Sequence, residues 1–358
     1  MKRHIEIMDT TLRDGEQTSG VSFSASEKLT IAQLLLTELK VDRIEIASAR
    51  VSDGEFQAVK KITEWAGQQG LLNKVEVLTF VDGGTSVQWM LDAGAQVMNL
   101  LTKGSLNHLK HQLKKSPAQH FAEIEETISL AISKGLQVNV YLEDWSNGMR
   151  NSKAYVLEYL DFLTKLPVKR ILLPDTLGVL IPSEVAEFIS ELVQRYPGVH
   201  FDFHAHNDYD LGTANALEAV RNGAHGLHLT VNGMGERAGN APLASVVAVL
   251  NDYQSDVQIS VCEKSLYSVS KLVETFSGFR IPANKPVVGE NVFTQTAGIH
   301  ADGDKKNNLY HNDLMPERFG RERKYALGKT SGKANIANNL AQLGIQLSDS
   351  DLKKVTQR

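Results

Sequence analysis

The sequence predicts a (β/α)8 TIM barrel followed by a small, partly helical C-terminal linker subdomain. Eight short apolar runs alternate with eight helical patterns along most of the chain. The apolar runs are continuous, as in residues 170–173, which is typical of parallel strands covered on both faces. Such units in series favour a closed barrel. The rival fold is a doubly wound open sheet, which rarely contains eight evenly spaced units.

The predicted elements alternate regularly. The strands are expected at residues 4–10, 43–48, 75–81, 97–102, 137–143, 170–175, 200–206 and 226–232. The helices are expected at residues 26–39, 53–68, 85–93, 118–134, 153–164, 182–196, 211–222 and 241–251. Ser24 or Ser26 is expected to cap the first helix and Ser183 the sixth. Gly94, Gly135 and Gly223 follow helices, as is typical of a helix C-terminus.

Composition limits the class of partner. The 358 residues carry a net charge of −4, with 38 basic and 42 acidic side chains and no strong block of either sign. This balance argues against a nucleic-acid or membrane-surface partner. The single cysteine, Cys262, excludes an intrachain disulfide and a cysteine zinc site. The first residues lead into a strand without the apolar core of a signal peptide, so we expect a cytoplasmic protein.

The regular alternation of strand and helix patterns ends near residue 275, which divides the chain into two parts. Residues 1–275 are expected to form the catalytic barrel, and residues 276–358 a linker and a small subdomain. Residues 281–289 contain two prolines and no clear period, which indicates the linker. Helical patterns follow at 333–343 and 349–356. Because this part is too small to bury a large core alone, we expect it to pack on the barrel or on a neighbouring subunit.

Two histidines suggest a metal site. His204 and His206 lie on the seventh predicted strand, on the face opposite Phe201 and Phe203. Their backbones should be about 6.6 Å apart, twice the rise of a strand, so both rings can approach one ion. Taken alone, the pair fits a metal site and a pair of hydrogen-bonded histidines about equally.

Other strand ends supply further ligands. In a (β/α)8 barrel the carboxyl ends of the strands meet at one rim, and Asp14 follows the first strand. A carboxylate with two imidazoles can hold a divalent ion that still has open positions, and Asn240 can add an oxygen. Arg13 would stand beside the ion and stabilise negative charge that develops on an oxygen. The alternative role of Arg13 is an ion pair with a nearby carboxylate.

Three motifs match a known family. They are residues 9–17 (DTTLRDGEQ), residues 204–208 (HAHND) and residues 233–240 (GMGERAGN). Together they resemble the metal-dependent, acyl-CoA-condensing barrels, which are the 2-isopropylmalate, homocitrate and citramalate synthases. The resemblance covers essentially the whole chain. The first motif alone also fits the lyases of the wider superfamily, but residues 300–310 and 328–333 resemble a linker subdomain that the lyases lack.

This resemblance implies a Claisen condensation of acetyl-CoA with a 2-oxo acid. The implied cofactor is a divalent metal ion, with Mg2+ or Mn2+ expected first and Zn2+ or Co2+ as alternatives. Arg13 would stabilise the new alkoxide, and Thr176 would hydrogen-bond the substrate carboxylate. Glu143 would act as the base; its alternative role is to orient Arg13 or a metal-bound water. The resemblance also implies a homodimer in which His300 and Tyr310 reach the partner's site, unless they only pack at the interface.

The pocket wall bears on the choice of 2-oxo acid. Leu78, Leu101 and Tyr141 offer a bulky, apolar surface with no group for a distal carboxylate. Isopropylmalate synthases typically have His and Ser where this chain has Leu101 and Tyr141. The wall therefore favours pyruvate as substrate and citramalate as product. The alternatives are 2-oxoisovalerate giving isopropylmalate, a retro-aldol lyase, and an inactive barrel that serves as a binding module.

Several basic and imidazole side chains are given no catalytic role. Residues 103–115 form a modest basic stretch that fits a solvated loop better than a site for the phosphates of coenzyme A. The histidines without an identified partner are expected to be structural. They are His108, His111, His120, His225, His228 and His311. Many relatives continue into a regulatory domain that binds an amino acid, and the residues after 333 do not resemble it.

Overall fold

The predicted TIM barrel and its partly helical C-terminal region are confirmed by a computed structural model. The model describes residues 2–297, 299–300, 303, 306–307, 309–329 and 331–357. Eight parallel strands, β1 to β8, close into a barrel in chain order. They are β1 Glu6–Asp9, β2 Arg43–Ser48, β3 Val75–Phe80, β4 Val97–Lys103, β5 Gln137–Glu143, β6 Arg170–Asp175, β7 Phe201–Ala205 and β8 Gly226–Leu229. None of the described helices is long and apolar enough to cross a membrane.

One helix follows each strand. They are α1 Ala25–Thr37, α2 Asp53–Gln68, α3 Thr85–Asp92, α4 Pro117–Ser133, α5 Lys153–Leu163, α6 Pro182–Arg195, α7 Gly212–Arg221 and α8 Leu243–Tyr253. Ser24 caps α1, where its side chain and that of Glu27 form a reciprocal capping box. The prediction of Ser183 as a cap is wrong, because α6 begins at Pro182 directly after Ile181. The backbone N–H of Ile181 donates to the Glu184 carboxylate instead.

The remaining elements are smaller. Short helices at Leu106–His108 and Trp145–Asn151 follow β4 and β5. Helix α9 covers Leu266–Ser277 and was not predicted, whereas α10 (Lys333–Gln342) and α11 (Asp349–Gln357) match the predicted helical patterns. The chain divides into two compact units. One comprises the residues up to Cys262 with Val269–Phe279, and the other comprises Glu263–Ser268 with the residues from Arg280 onward.

The end of β8 differs from the prediction. This strand stops at Leu229 rather than at residue 232, and a tight turn follows at Val231–Gly233. Asn232 adopts a left-handed conformation there, with φ 62°, and its side-chain amide donates to the Ser270 carbonyl at 3.0 Å. The turn sends the chain back across the rim, which brings Asn240 into an isolated antiparallel bridge with His206.

A cluster of charged side chains lies inside the barrel, near the amino-terminal ends of the strands. The Arg43 guanidinium is ion-paired with Glu6 at 2.9 Å, Glu76 at 3.1 Å and Asp202 at 2.5 Å. Arg170 pairs with the same Glu6 carboxylate at 2.9 Å. The acidic and basic charges therefore lie within direct pairing distance of one another. We call these five residues the charged core.

Candidate active site

The three predicted metal ligands meet at the carboxyl ends of the strands. Asp14 lies just after β1, His204 is on β7 and His206 follows it, and all three side chains are buried. His204 Nε2 is 3.1 Å and His206 Nε2 is 3.8 Å from the same Asp14 oxygen, Oδ2. One potential ligand atom from each residue lies within 4.8 Å of the other two. The arrangement can surround a single cation.

The electrostatics keep Asp14 and His206 in their metal-binding forms. Burial alone would raise the pKa of the Asp14 carboxyl, but Arg13 and the two histidines hold it well below its ordinary value. Burial lowers the pKa of His206 to about 4, more than offsetting the attraction of Asp14. A carboxylate and a neutral imidazole are the protonation states that a divalent ion requires.

Asn240 supplies a fourth candidate ligand. Its side chain is buried, and its amide nitrogen donates to the Met234 carbonyl at 3.0 Å. The other amide atom, Oδ1, accepts no hydrogen bond from the described residues. Because the amide is oriented by its N–H, its oxygen remains available as a neutral ligand.

Buried polar atoms that lack a hydrogen-bond partner indicate whether a cation fits this site. Within the described part of the chain, Asp14 Oδ2 and Asn240 Oδ1 are buried without a well-formed hydrogen bond. Leaving a buried polar atom without a partner costs about 1–3 kcal/mol, so each such atom calls for an explanation. A divalent ion would satisfy the Asp14 oxygen, and the mixed oxygen and imidazole donors suit Mg2+, Mn2+, Co2+ or Zn2+. The residues present therefore fit a metal centre.

Arg13 is held beside this cluster by a carboxylate to which sequence analysis assigns no role. Arg13 Nε donates to Glu45 at 2.6 Å, and its Nη1 lies 3.5 Å from Asp14. Asn99 donates to the other oxygen of Glu45 at 2.7 Å, and Asn139 donates to Asn99 at 2.8 Å. The chain of hydrogen bonds fixes the guanidinium from within the barrel. A glutamate between two isoleucines in β2 was the available sequence signal.

A cavity of about 230 Å3 is lined in part by the three candidate metal ligands, Asp14, His204 and His206. Its wall brings together nine of the predicted site residues, which come from several strands. They are Arg13, Asp14, Leu78, Leu101, Tyr141, Glu143, Thr176, His204 and His206. Additional lining residues are Gln17, Ser48, Phe80, Pro174 and Glu236.

Glu143 lies on the cavity wall between two basic side chains. It forms an ion pair with Lys103, which is adjacent in the β4–β5 register. His108 Nδ1 lies 3.8 Å from the other Glu143 oxygen, and His108 Nε2 lies 3.5 Å from Asp144. His108 therefore has convergent partners, and Lys103 is not part of a solvated loop. Both expectations were wrong, because the register that aligns Lys103 with Glu143 and the path of the short helix that carries His108 are not visible in the sequence.

Thr176 is positioned by backbone rather than by another side chain. Its hydroxyl accepts a hydrogen bond from the Asp144 N–H at 2.9 Å. Asp144 itself is held in a left-handed conformation, φ 64°, with its carboxylate accepting from Ser105 and Asn147. The Thr176 proton is therefore directed to a different acceptor, and Thr176 lines the cavity.

Tyr141 reaches from the cavity wall into the barrel interior. Its hydroxyl is 2.7 Å from His228 Nδ1, and His228 Nε2 is 3.0 Å from Asp202. The expectation that His228 lacks a partner is therefore wrong. The partners lie on β5 and β7, far from β8 in sequence. Burial lowers the pKa of His228 to about 3, so the ring is neutral at neutral pH.

His300 and Tyr310 belong to the second compact unit. Their ring centroids are 4.2 Å apart, and the rings are tilted by 36° to each other. His300 is half-buried and Tyr310 is exposed. The predicted motif also includes residues 301 and 302, which lie outside the described residues. The two rings thus form a local pair within their own unit.

Comparisons with known proteins agree with this barrel and its candidate metal centre. The HMGL-like family model matches residues 4–273. A model described as homocitrate synthase post-HMGL domain-like matches residues 287–358. Among solved structures, an HMG-CoA lyase from Brucella melitensis has a TM-score of 0.61 at 18% identity, covering 77% of this chain and 99% of the lyase chain. At that identity the likeness concerns the fold.

Curated relatives narrow the class. A putative (R)-citramalate synthase of Methanopyrus kandleri is 37% identical over 99% of this chain and 68% of its own length. A probable 2-isopropylmalate synthase of Ignicoccus hospitalis is 36% identical over 96% of this chain and 84% of its own length. The chain belongs to the HMGL-like enzyme family that includes the citramalate, 2-isopropylmalate and homocitrate synthases.

Proposed function

We propose that this protein condenses acetyl-CoA with pyruvate to give (R)-citramalate and coenzyme A. Support comes from one observation above all. The apolar side chains of Leu78, Leu101 and Tyr141 line the same small cavity as the Asp14, His204 and His206 cluster. A 2-oxo acid bound there would have its polar end at the cluster and its alkyl end against the apolar wall.

Asp14, His204, His206 and Asn240 are the proposed ligands of a divalent ion, with Mg2+ or Mn2+ expected first. When bound, such an ion would act as a Lewis acid toward the keto group of the substrate. Arg13 would donate hydrogen bonds to the same keto oxygen as negative charge develops on it. Its Nε is engaged by Glu45 and its Nη1 lies 3.5 Å from Asp14, so Nη2 is the nitrogen proposed to meet the substrate.

Thr176 is proposed to bind the substrate carboxylate. Its oxygen accepts from the Asp144 N–H, which leaves the hydroxyl proton for a carboxylate oxygen. This hydrogen bond would orient the acid so that its alkyl group meets the apolar wall. Orientation of this kind contributes to rate by holding the reacting carbon near its attacking partner.

Glu143 is proposed as the base that removes a proton from the acetyl methyl group. It lines the cavity, and a carboxylate is a type of side chain that can accept such a proton. The alternative role of orienting Arg13 is better filled by Glu45, which contacts the guanidinium directly. After attack of the methyl carbon on the ketone, water must cleave the thioester to release coenzyme A.

We further propose a homodimer in which His300 and Tyr310 assist at the thioester of the partner. In this proposal residues 1–275 are the catalytic barrel, and residues 276–358 are the linker and small subdomain that the partner contacts. The contact between the His300 and Tyr310 rings supports a joint role. Analytical ultracentrifugation would give the oligomeric state, and mixing of His300→Ala with Glu143→Gln protein would test complementation. Recovery of activity on mixing is expected, whereas two separately active monomers would exclude shared sites.

The substrate is tested by release of free thiol from acetyl-CoA in the presence of Mg2+ or Mn2+. Pyruvate, 2-oxobutyrate, 2-oxoisovalerate and 2-oxoglutarate would be compared by kcat/KM. We expect pyruvate to be preferred and a chelator to abolish the reaction. Because one methylene in an apolar pocket is worth about 1–3 kcal/mol, 2-oxobutyrate should be a side substrate. No thiol release with any acid would reject the proposal and favour an inactive barrel.

The second candidate is 2-isopropylmalate synthesis from 2-oxoisovalerate. It is favoured by relatives of that name at 36% identity, close to the value for the citramalate synthases. Preference for 2-oxoisovalerate in the thiol assay would select it. If the wild type prefers pyruvate, the double substitution Leu101→His with Tyr141→Ser should shift selectivity toward the larger acid, and no shift would contradict the role of these two side chains in setting the pocket size.

A further inference from the structure

Tyr141 is held in place both by its backbone and by its hydroxyl group. Its backbone belongs to β5, and its hydroxyl bonds to His228 on β8, with β6 and β7 between them. The side chain therefore crosses the barrel interior. Its ring packs against Met8, Leu78 and Leu172 in a buried cluster that Leu101 also contacts. The same ring lines the cavity of the candidate active site.

The direction of each hydrogen bond can be assigned. Asp202 is ion-paired with Arg43 at 2.5 Å, and an ionised carboxylate can only accept. His228 Nε2 must therefore carry the proton that is shared with Asp202 at 3.0 Å. In a neutral imidazole the other nitrogen is then an acceptor, so the Tyr141 hydroxyl donates to Nδ1. The Tyr141 proton is committed to the barrel interior and is not directed at a substrate.

This geometry leaves only the aromatic ring of Tyr141 to face the cavity. The Arg13 guanidinium carbon lies over the ring, 5.9 Å from its centroid, and the His204 ring meets it edge-on at 6.2 Å. An aromatic side chain that is free at its hydroxyl could swing away from a larger substrate. A ring that is fixed at both ends cannot do so without breaking a buried hydrogen bond, which costs about 1–3 kcal/mol.

We propose that His228 is a specificity-determining positioning residue, which pins the Tyr141 hydroxyl so that the ring forms a rigid wall against branched 2-oxo acids. The proposal rests on the proposed function, because it concerns the 2-oxo acid of that reaction. Asp202 takes part by fixing the tautomer of His228, and Arg43 of the charged core holds Asp202 in turn. Through these contacts the charged core would help to define the pocket above it.

The test uses substitutions that remove one hydrogen bond at a time. Tyr141→Phe deletes the hydroxyl and keeps the ring. His228→Gln keeps an amide nitrogen near the Nε2 position for Asp202 but offers no acceptor to Tyr141. His228→Asn places an oxygen near the Nδ1 position and is the conservative variant expected to preserve the hydrogen bond from the Tyr141 hydroxyl. His200→Asn is the matched control, because His200 bonds the other Asp202 oxygen at 2.8 Å without contacting Tyr141.

The measured quantity is the kcat/KM ratio of 2-oxoisovalerate to pyruvate in the thiol assay. We expect Tyr141→Phe and His228→Gln each to raise this ratio roughly tenfold, within the range of discrimination by apolar pockets. The double variant should raise it no further, because both changes break the same bond. His228→Asn and His200→Asn should keep the wild-type ratio. A higher KM for pyruvate in Tyr141→Phe without a change of ratio would mean that the hydroxyl binds substrate, and would overturn the proposal.

A second readout does not depend on activity. Urea unfolding midpoints of Tyr141→Phe, His228→Gln and the double variant form a double-mutant cycle. We expect the double variant to shift the midpoint by less than the sum of the single shifts. Additive shifts would show that the hydrogen bond is absent and would overturn the proposal. If the wild type released no thiol with any acid, the proposed function would fail, and the cycle would still report separately on the bond.

Discussion

The barrel holds two groups of buried charges that differ in one respect. In the charged core, Arg43 and Arg170 face Glu6, Glu76 and Asp202 at direct pairing distances. At the rim, ligand atoms of Asp14, His204 and His206 converge within 4.8 Å of one another. Most side chains of both regions are buried. The difference teaches that burial of charge does not identify a functional site, whereas a converging set of metal-ligand atoms does.

The largest expected effect is at the rim. Asp14→Asn should lower thiol release by about a thousandfold or more, because it removes the only carboxylate among the proposed ligands and with it the Lewis-acid contribution of the ion. Its free energy of unfolding should also fall, because Arg13 and the two histidines attract the ionised carboxylate and hold its pKa below the ordinary value. Manganese binding, followed by electron paramagnetic resonance, should be lost in parallel.

The control for that variant is Asp161→Asn. Asp161 lies on α5 and pairs with Arg195 near the surface, away from the cavity. It should keep both activity and manganese binding. Full activity in Asp14→Asn protein would remove the distinction between the rim and the charged core.

A substitution in the charged core should lower the stability of the fold and leave metal binding intact. Arg43→Met leaves Glu76 and Asp202 buried without their main counter-charge, and breaking a buried pair on one side costs about 3–5 kcal/mol. The free energy of unfolding, measured with urea, should fall by that amount. Any folded fraction should still bind manganese. A variant as stable as the wild type would show that the core is not held by these pairs.

The next prediction concerns Lys103, whose ion pair with the cavity-lining residue Glu143 is partly buried. Lys103→Met should lower kcat roughly 10- to 100-fold, a part of the contribution expected from a general base. KM for the 2-oxo acid should change less than kcat, and Lys103→Arg should restore much of the loss. Equal effects of both substitutions on stability, with kcat unchanged, would assign the pair a purely structural role.

The smallest expected effect concerns His120, whose Nε2 accepts from the Lys103 N–H at 3.2 Å. Burial lowers the pKa of His120 to about 4. Unfolded histidine takes up a proton near pH 6.5, so protons favour the unfolded state as the pH falls from about 6.5 toward 4. Between pH 7 and pH 5 the wild type should therefore lose about 2 kcal/mol more stability than His120→Asn. Urea unfolding at both pH values measures the difference, and parallel losses would contradict the assigned burial.

Sequence reasoning reached the barrel because its signals are local. Continuous apolar runs, helical periods and the glycines after helices recur along the chain, and they located all eight strands to within a few residues. The same reasoning predicted Asp14, His204 and His206, because parallel strands of a barrel must end at one rim. It extended β8 too far, because it gave the apolar run more weight than the Asn232-Gly233 pair, which favours the left-handed turn at Asn232.

What the sequence by itself determined is the order of strands and helices, the rim where they end and the types of ligand that gather there. The tertiary structure alone decided which distant side chains meet: Glu45 with Arg13, Lys103 with Glu143, and His228 with Tyr141. The physical reason is that strand periodicity fixes which side of the sheet a residue faces. Its hydrogen-bond partner across the barrel depends on register and closure, and these are properties of the whole sheet.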